Sequence, residues 1–304
     1  MDDIKFSVIM PVYNSEKYLR EALLSIAQQT YQRYEIIIVN NGSHDGSQLI
    51  IDDFVEENSS KLIKIIKLEP NMGISYARNI GVDSANGEFV AFLDSDDIWY
   101  SEKLNILDYH LRQNPEIDVI WHYENHGTIE KNVLVEYRSL NNNRAYEELL
   151  FGVNQLSPSA TAVRKSLFLS INGFCTDYVN GEEDYDLWLR LARQSAHFHL
   201  VRKSLGLFRI HQDSTSSKFK VHSDAVMKMV EKHFAWMENS SQYDKKLLKR
   251  KLNNKRAEAD FGYGRFLLKG KAKRLAFSYF IKSLRTRPFW WKPYAGIFLI
   301  PFSH

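Results

Sequence analysis

The chain has 304 residues, 44% hydrophobic and 13% aromatic, which excludes a disordered polymer and allows one large core or two modest ones. Cys175 is the only cysteine, so an intrachain disulfide and a cysteine-rich metal centre are excluded and a reducing compartment is expected. The formal charge of +3 hides an asymmetry: residues 245–304 carry 16 Lys and Arg against only Glu258 and Asp260, a net of +14 that leaves −11 on residues 1–244.

The first residues, Met1-Asp2-Asp3-Ile4-Lys5, lead directly into the apolar run Phe6–Pro11, without the basic and apolar regions of a secretory leader, so a cytoplasmic protein is expected. Glu16–Gln29 then places Leu19, Leu23 and Ile26 at helical spacing. Glu35–Val39 is again β-rich. A polar turn, Asn40–Gly46, precedes a second helical pattern in which Leu49, Ile50, Phe54 and Val55 share a face. Leu62–Leu68 reads as a strand, Ser75–Ser84 as a helix and Phe89–Leu93 as a fourth strand. Ser101 is expected to cap a helix running to about Gln113.

Short apolar strands separated by helices predict βαβ units and a mostly parallel sheet with helices on both faces. Ligands of such sheets bind beyond the carboxyl ends of the strands. Tyr13 and Asn14, Asn40 and Asn41, and Asp94, Asp96 and Asp97 follow those ends and should converge. Beyond Val119–His122 the pattern breaks into hairpin-like and irregular segments until a helix at Glu182–Gln194. After about residue 220 the chain reads as helical. The apolar stretch Tyr294–Phe302 is shorter than the ~20 residues that span a bilayer.

Asp94-Ser95-Asp96-Asp97 crowds three carboxylates behind a strand, where mutual repulsion costs stability unless a cation relieves it. Oxygen ligands of this kind suit Mg²⁺ or Mn²⁺, which bind one or two carboxylates and take phosphate oxygens and water for the rest. A solvated turn with a capping Asp would use the same residues.

The surrounding motifs bear on that choice. Val8-Ile9-Met10-Pro11-Val12-Tyr13-Asn14, Ile38-Val39-Asn40-Asn41-Gly42-Ser43-His44-Asp45-Gly46-Ser47, Asn71-Met72-Gly73 with Ala77-Arg78-Asn79, and Asp94-Ser95-Asp96-Asp97 together resemble family 2 glycosyltransferases. The match covers roughly residues 5 to 215, in the family's order and spacing. The resemblance implies the A-type glycosyltransferase fold, an α/β domain with a mostly parallel central sheet flanked by helices, and inverting, metal-dependent sugar transfer from a nucleotide-sugar donor. It implies a catalytic domain over residues 1–218, nucleotide-binding to about 122 and acceptor-binding from about 123. Residues 219–304 are then a helical, basic, aromatic-rich extension.

Carried over residue by residue, the resemblance puts Pro11, Tyr13, Asn40 and Arg78 around the nucleotide. Asp94, Ser95 and Asp96 fall at its ribose and at a diphosphate-bound Mn²⁺ or Mg²⁺. Tyr13 offers a flat face for a base, although an ordinary half-buried aromatic would look the same. Arg78 offers a fork of donors, or a surface salt bridge. The family usually has Asp where this chain has Asn40, and often a second Asp at Asn41. An Asn oxygen still accepts from a ring N–H but without charge assistance, so uracil is the default base and thymine or guanine stay open.

Asn180-Gly181-Glu182-Glu183-Asp184-Tyr185-Asp186-Leu187-Trp188 resembles the family's Glu-Asp motif at the start of an acceptor-side helix, which makes Asp184 the expected general base. Acidic residues in a first helical turn are also stabilised by the macrodipole with no catalytic purpose. Trp188, one turn on, could form a platform for an acceptor sugar or pack in the core. Phe208-Arg209-Ile210-His211-Gln212-Asp213-Ser214 resembles the family's Arg-x-His segment, so His211 is expected beside the metal or diphosphate.

From Lys245 onward basic residues alternate with apolar ones, ending in Arg285-Thr286-Arg287-Pro288-Phe289-Trp290-Trp291-Lys292-Pro293-Tyr294. Trp and Tyr flanked by cations suit an anionic membrane surface. A peripheral enzyme at the inner face of the cell membrane is therefore expected, with a saccharide or lipid-linked acceptor, as in bacterial surface-polysaccharide assembly. The same aromatics could instead cap the catalytic domain or meet a second subunit, which keeps a homo-oligomer among the alternatives.

Nucleic acid is not an expected partner, since the body is acidic and no binding module is recognisable. A nucleotidyltransferase would need a glycine-rich phosphate loop where Pro11-Val12-Tyr13-Asn14-Ser15-Glu16 stands, and a nicotinamide enzyme would need G-x-G-x-x-G. A non-catalytic nucleotide-binding scaffold stays open because of Asn40 and Asn41.

Overall fold

The computed structural model describes residues 4–211 and 219–300, so the expected domain limit at 218 and the segment Gln212-Asp213-Ser214 lie outside the described residues. The described chain falls into two compact units. The first takes residues up to 149, 153–179 and from 183 to 211; the second takes 219–300 with 150–152 and 180–182.

In the first unit, strands β1 (Phe6–Val12) and β2 (Tyr34–Asn41) are buried along their whole length. Helices α1 (Leu19–Ala27) and α2 (Ser47–Glu57) bring Leu23, Ile26, Ile51 and Phe54 into one core with Phe6, Val8, Met10 and Val12. Strand β3 (Ile63–Leu68) forms the edge, and its exposed Lys64 and Lys67 blunt that edge against further pairing. Helix α3 (Ile74–Asp83) covers the other face of β1. A Cβ at Gly81 would lie 2.6 Å from Ile9 and 3.3 Å from Val39, so glycine is what lets α3 approach the sheet this closely.

Strand β4 (Phe89–Phe92) returns to the far side of β1. Next come β5 (Ile98–Trp99) and α4 (Lys103–Gln113), whose Leu104, Leu107 and Leu111 extend the same core. The cap position of α4 is Glu102 rather than Ser101, and the Ser101 carbonyl instead accepts the Thr30 N–H at 3.0 Å. β6 (Val119–Gly127), β7 (Asn132–Val135), α5 (Ala145–Phe151), β8 (Thr161–Arg164), α6 (Lys165–Ser170), α7 (Glu183–Arg193) and β9 (Phe198–Arg209) follow.

The sheet runs β3-β2-β1-β4-β8-β6-β9-β5, with β7 paired to β6. The neighbours among β1–β4 are parallel, as the βαβ pattern requires. Beyond β4 both orientations occur: β8 is antiparallel to β4 and β6, whereas β6 and β9 are parallel. Where the sequence suggested irregular structure, β6 and β9 form long strands. Their register shifts at His122/Tyr123 and Tyr123/Asn125, and Arg202-Lys203 is exposed within β9, which breaks the period-two signal.

The second unit holds α8 (Phe219–Glu238), α9 (Lys245–Lys269), α10 (Lys273–Thr286) and α11 (Trp291–Leu299). Asp244 caps α9 by accepting the Lys246 N–H at 2.9 Å. Phe280 is the centre of the small core that α9, α10 and α11 share. A Cβ at Gly296 would sit 2.8 Å from its ring, so glycine there sets the closeness of α11. No helix among the described residues is long and apolar enough to cross a membrane.

Candidate functional site

The chain passes from β1 outward to β2 and β3, then crosses back so that β4 pairs on the opposite side of β1. Such a reversal leaves a crevice at the carboxyl ends of the strands. The residues expected to converge there do so. Asn14, at φ 48°, accepts the His44 N–H at 2.9 Å through Oδ1 and donates its own N–H to Ser43 Oγ at 3.1 Å. The Ser15 N–H donates to Ser47 Oγ at 2.9 Å, and Ser15 Oγ lies 2.7 Å from Ser95 Oγ. Three strand ends are thus tied together. Tyr13, between them, is 46% exposed. Pro11 is buried inside β1 opposite Val39, so it shapes the strand instead of presenting a surface.

The three carboxylates behind β4 are accommodated in three ways by the protein itself, one of them through the Arg78 cation. Asp94 Oδ1 accepts from Arg78 Nη2 at 2.6 Å. Asp96 Oδ2 lies 2.8 Å from His211 Nε2. Asp97 is fully buried, and that burial together with Asp96, Asp94 and Glu124 pushes its carboxyl well above the usual range. Its Oδ1 accepts the Arg209 N–H at 2.8 Å. Repulsion alone therefore does not call for a metal ion, which corrects that part of the sequence argument.

Among the described residues no group of three or more His, Cys, Asp or Glu side chains is set to hold a metal ion. The expected trio is split, since Asp94 is drawn to Arg78 while Asp96 and His211 pair. Of that pair Asp96 is 33% exposed, with its carboxyl raised by burial and by Asp94, whereas His211 is 15% exposed and its Nδ1 is buried without a hydrogen-bond partner. One carboxylate and one imidazole fit a hard cation that takes its other ligands from phosphate and water. Arg209 holds this end in place by donating from Nε to the Asp96 carbonyl at 2.8 Å.

Asn40 and Asn41 are buried and bonded within the protein. Asn41 Oδ1 accepts the Met72 N–H at 2.9 Å, and its amide donates to Asn71 at 2.9 Å, which fixes the loop before α3. Asn40 Oδ1 accepts the Ser43 N–H at 3.0 Å, and Nδ2 donates to Gln48 Oε1 at 2.7 Å. Gln48 Nε2 in turn donates to Asp52 at 2.7 Å. A carboxylate only accepts and a backbone N–H only donates, so both ends of this chain of bonds fix the Asn40 amide with its oxygen toward Ser43.

Arg78 corrects a second expectation. It is 1% exposed, and both terminal nitrogens are engaged, with Asp94 and with Glu183 Oε1 at 2.9 Å, so no donor fork is left for a ligand. Burial opposes its charge, but Asp94 and Glu183 outweigh burial and raise its pKa. Trp188 corrects a third. It is fully buried and donates from Nε1 to the Leu156 carbonyl at 2.9 Å, so its ring is a core element and no acceptor platform.

Asp184, in the first turn of α7, is partly buried, and its carboxyl is pushed up to about 8 by burial and then by Glu183, against the pull of Arg78. Its Oδ1 accepts the Tyr185 N–H at 2.5 Å and its Oδ2 faces Asn154 Nδ2 at 3.4 Å. Asn154 lies in an irregular stretch, and Ser159, whose Oγ accepts the Asp94 N–H at 3.1 Å, lies in a short 3-10 turn, Pro158–Ala160; the sequence singles out neither. Arg209 was visible as part of the Arg-x-His segment but not as the anchor of the acidic turn.

The family model described as Glycosyl transferase family 2 matches residues 7–170. The chain is similar, at 31% identity over 72% of its length and 83% of the relative, to the Escherichia coli UDP-Glc:alpha-D-GlcNAc-diphosphoundecaprenol beta-1,3-glucosyltransferase WfgD. Among solved structures, S. aureus TarS 1-349 in complex with UDP-GlcNAc aligns with a TM-score of 0.65 at 22% identity, covering 99% of this chain and 86% of that one. The mannosyltransferase PcManGT from Pyrobaculum calidifontis, in complex with GDP-Man and Mn2+, aligns at 0.64 and 16% identity, covering 92% of this chain and 75% of that one.

Proposed function

The chain belongs to glycosyl transferase family 2 and is a glycosyltransferase of the A-type fold, and from that premise we propose that it transfers a sugar, with inversion, from a nucleoside-diphosphate sugar to a hydroxyl of a saccharide or lipid-linked acceptor. The observation that carries this reading is a pair of carboxylate stations, one behind strand β4 and one in the first turn of α7. Asp94 and Asp96 belong to the first and Asp184 to the second, and Arg78 links their motifs by bonding both Asp94 and Glu183.

In the proposed reaction the acceptor oxygen attacks the anomeric carbon while its proton passes to Asp184. The bond from that carbon to the diphosphate breaks on the opposite face. A carboxyl raised to about 8 suits the task, because the hydroxyl proton becomes acidic only as the new bond forms. Asp96 and His211 would hold Mn²⁺ or Mg²⁺, which supplies charge neutralisation for the departing diphosphate. Tyr13 would stack on the base. Asn40 would offer its second oxygen lone pair to a ring N–H, which favours uracil, with thymine or guanine as alternatives and cytosine disfavoured. WfgD, whose name gives UDP-Glc as donor and a diphosphoundecaprenol acceptor, supports the uridine and lipid-linked options.

The basic, aromatic C-terminal helices support a peripheral position on an anionic membrane at the cytoplasmic face. A panel of sugar nucleotides, scored with and without Mn²⁺ by thermal shift and by slow donor hydrolysis, tests the central reading. Uridine donors should stabilise the protein in a cation-linked manner. Indifference to every nucleotide in both assays would overturn it.

A further inference from the structure

Helices α9, α10 and α11 form an open pocket of about 600 Å³, a volume typical of ligand sites, and like such sites it pairs apolar walls with a few polar groups. Phe261, Leu268 and Phe280 are among its walls, while Arg265, Lys269 and Lys292 are its cations. These helices carry only two carboxylates, and both are taken: Asp260 by Lys282 at 2.7 Å and Glu258 by Arg287 at 3.4 Å. None is left to neutralise the three cations at the cavity. Trp291, which also lines it, is 68% exposed, and nearby Phe289 is entirely so.

An occupant that uses the whole pocket must therefore complement three cationic side chains and cover an apolar wall at the same time. Inorganic phosphate meets the first demand and leaves the walls wet. A second copy of this unit brings the same excess of positive charge and is repelled. We propose that the cavity binds one anionic phospholipid molecule of the bilayer, with its phosphate on Arg265, Lys269 and Lys292 and the adjoining hydrocarbon against Phe261, Leu268 and Phe280. This rests on the reading that the C-terminal helices meet an anionic membrane, and it replaces a diffuse attraction with a built site.

Flotation of the full chain with phosphatidylcholine vesicles, with and without phosphatidylglycerol, tests it, together with calorimetry against a short-chain phosphatidylglycerol below its micelle concentration. The wild type should float only with phosphatidylglycerol and bind the short-chain lipid with one molecule per chain. Arg265→Gln/Lys269→Gln/Lys292→Gln should lose at least about tenfold in vesicle affinity, more than the matched triple change Lys245→Gln/Lys246→Gln/Lys249→Gln away from the cavity. Ala295→Trp fills the cavity without altering charge, and it should abolish short-chain lipid binding while circular dichroism and melting confirm the fold. Equal losses from the two triple variants, with Ala295→Trp behaving as wild type, would overturn the site and leave the membrane reading standing. Failure of the wild type to float with any vesicle would remove both. A lipid-free dimer that Ala295→Trp dissociates would assign the cavity to a second copy and overturn the proposal.

Discussion

Arg78 donates to Glu183 across 2.9 Å, joining α3 to the first turn of α7 through a bond between residues 105 positions apart. Its other terminal nitrogen holds Asp94, and the guanidinium plane lies 5.1 Å from the Phe174 ring centroid. The two motifs assigned to the donor and acceptor ends are therefore set relative to each other by one buried cation. Arg78→Ala leaves two carboxylates facing an empty pocket and should cost about 3–5 kcal/mol of stability. The double variant Arg78→Ala/Glu183→Gln should recover part of that loss in urea denaturation, since one stranded charge is then removed. Additive losses would show that Arg78 and Glu183 do not act as a pair.

The raised carboxyl of Asp184 makes a signed prediction about pH. A general base works when deprotonated, so the transfer rate should rise with pH, bend near 8 and level off above it. Its folded value lies above the ordinary 3.8, so the folded chain binds this proton more tightly than the unfolded one. The corresponding stability is full below about pH 4 and is lost as pH rises toward 8. Asp184→Asn should abolish transfer, keep donor binding and flatten that part of the melting profile. Full transfer by this variant would show that the base lies elsewhere.

Asp94 and Asp96, two residues apart, should behave differently when changed. Asp96→Ala or His211→Ala should weaken cation-linked donor affinity by about 10- to 100-fold with little effect on the melting temperature. Asp94→Asn deprives a buried guanidinium of one charged partner and should cost about 1.5–3 kcal/mol of stability. Titration of Mn²⁺ in the presence of UDP, read beside denaturation curves, separates the two effects. Equal behaviour of the three variants would contradict the division of labour between Arg78 and His211.

The parallel half of the sheet was legible because β1 and β2 are buried on both faces and so read as unbroken apolar runs. The acidic turn was legible because it follows β4 directly. The direction of Arg78 was not, since an arginine on a helix is by default a surface residue. Its neighbours Ala77, Gly81 and Val82 are buried, and those small residues mark the face that lies against the sheet. Asn154 carries no local pattern, and its place beside Asp184 arises only from tertiary packing. Trp188 looked ambiguous because a position four residues after Asp184 shares its helical face, yet that face turns inward within a turn as α7 buries Leu187, Leu189 and Leu191. Trp188→Phe should accordingly lower stability, through a smaller ring and a lost bond to Leu156, while the acceptor KM stays unchanged in steady-state assays.

The bonds from Asp52 through Gln48 to Asn40 give the last prediction. An asparagine facing a base is ambiguous, because its amide can turn either an acceptor or a donor toward the ring. Here Asp52 accepts from Gln48, Gln48 accepts from Asn40, and the Ser43 N–H donates to the Asn40 oxygen, so each bond forces the sense of the next. Gln48→Leu removes the partner that holds the Asn40 amine and releases the amide to rotate. UDP should then bind about tenfold more weakly, as expected for the loss of roughly one hydrogen bond's worth of orientation, while CDP, whose ring nitrogen is an acceptor, should bind as well as before or better. The ratio of the two affinities, measured by calorimetry in one buffer, is the readout, because a general loosening of the loop would weaken both nucleotides alike. An unchanged ratio would mean that Asn40 does not read the base. A ratio that collapses in Gln48→Leu and is restored in Gln48→Glu at a pH where the new carboxyl is ionised would show that the orientation of one amide decides which nucleotide the enzyme accepts.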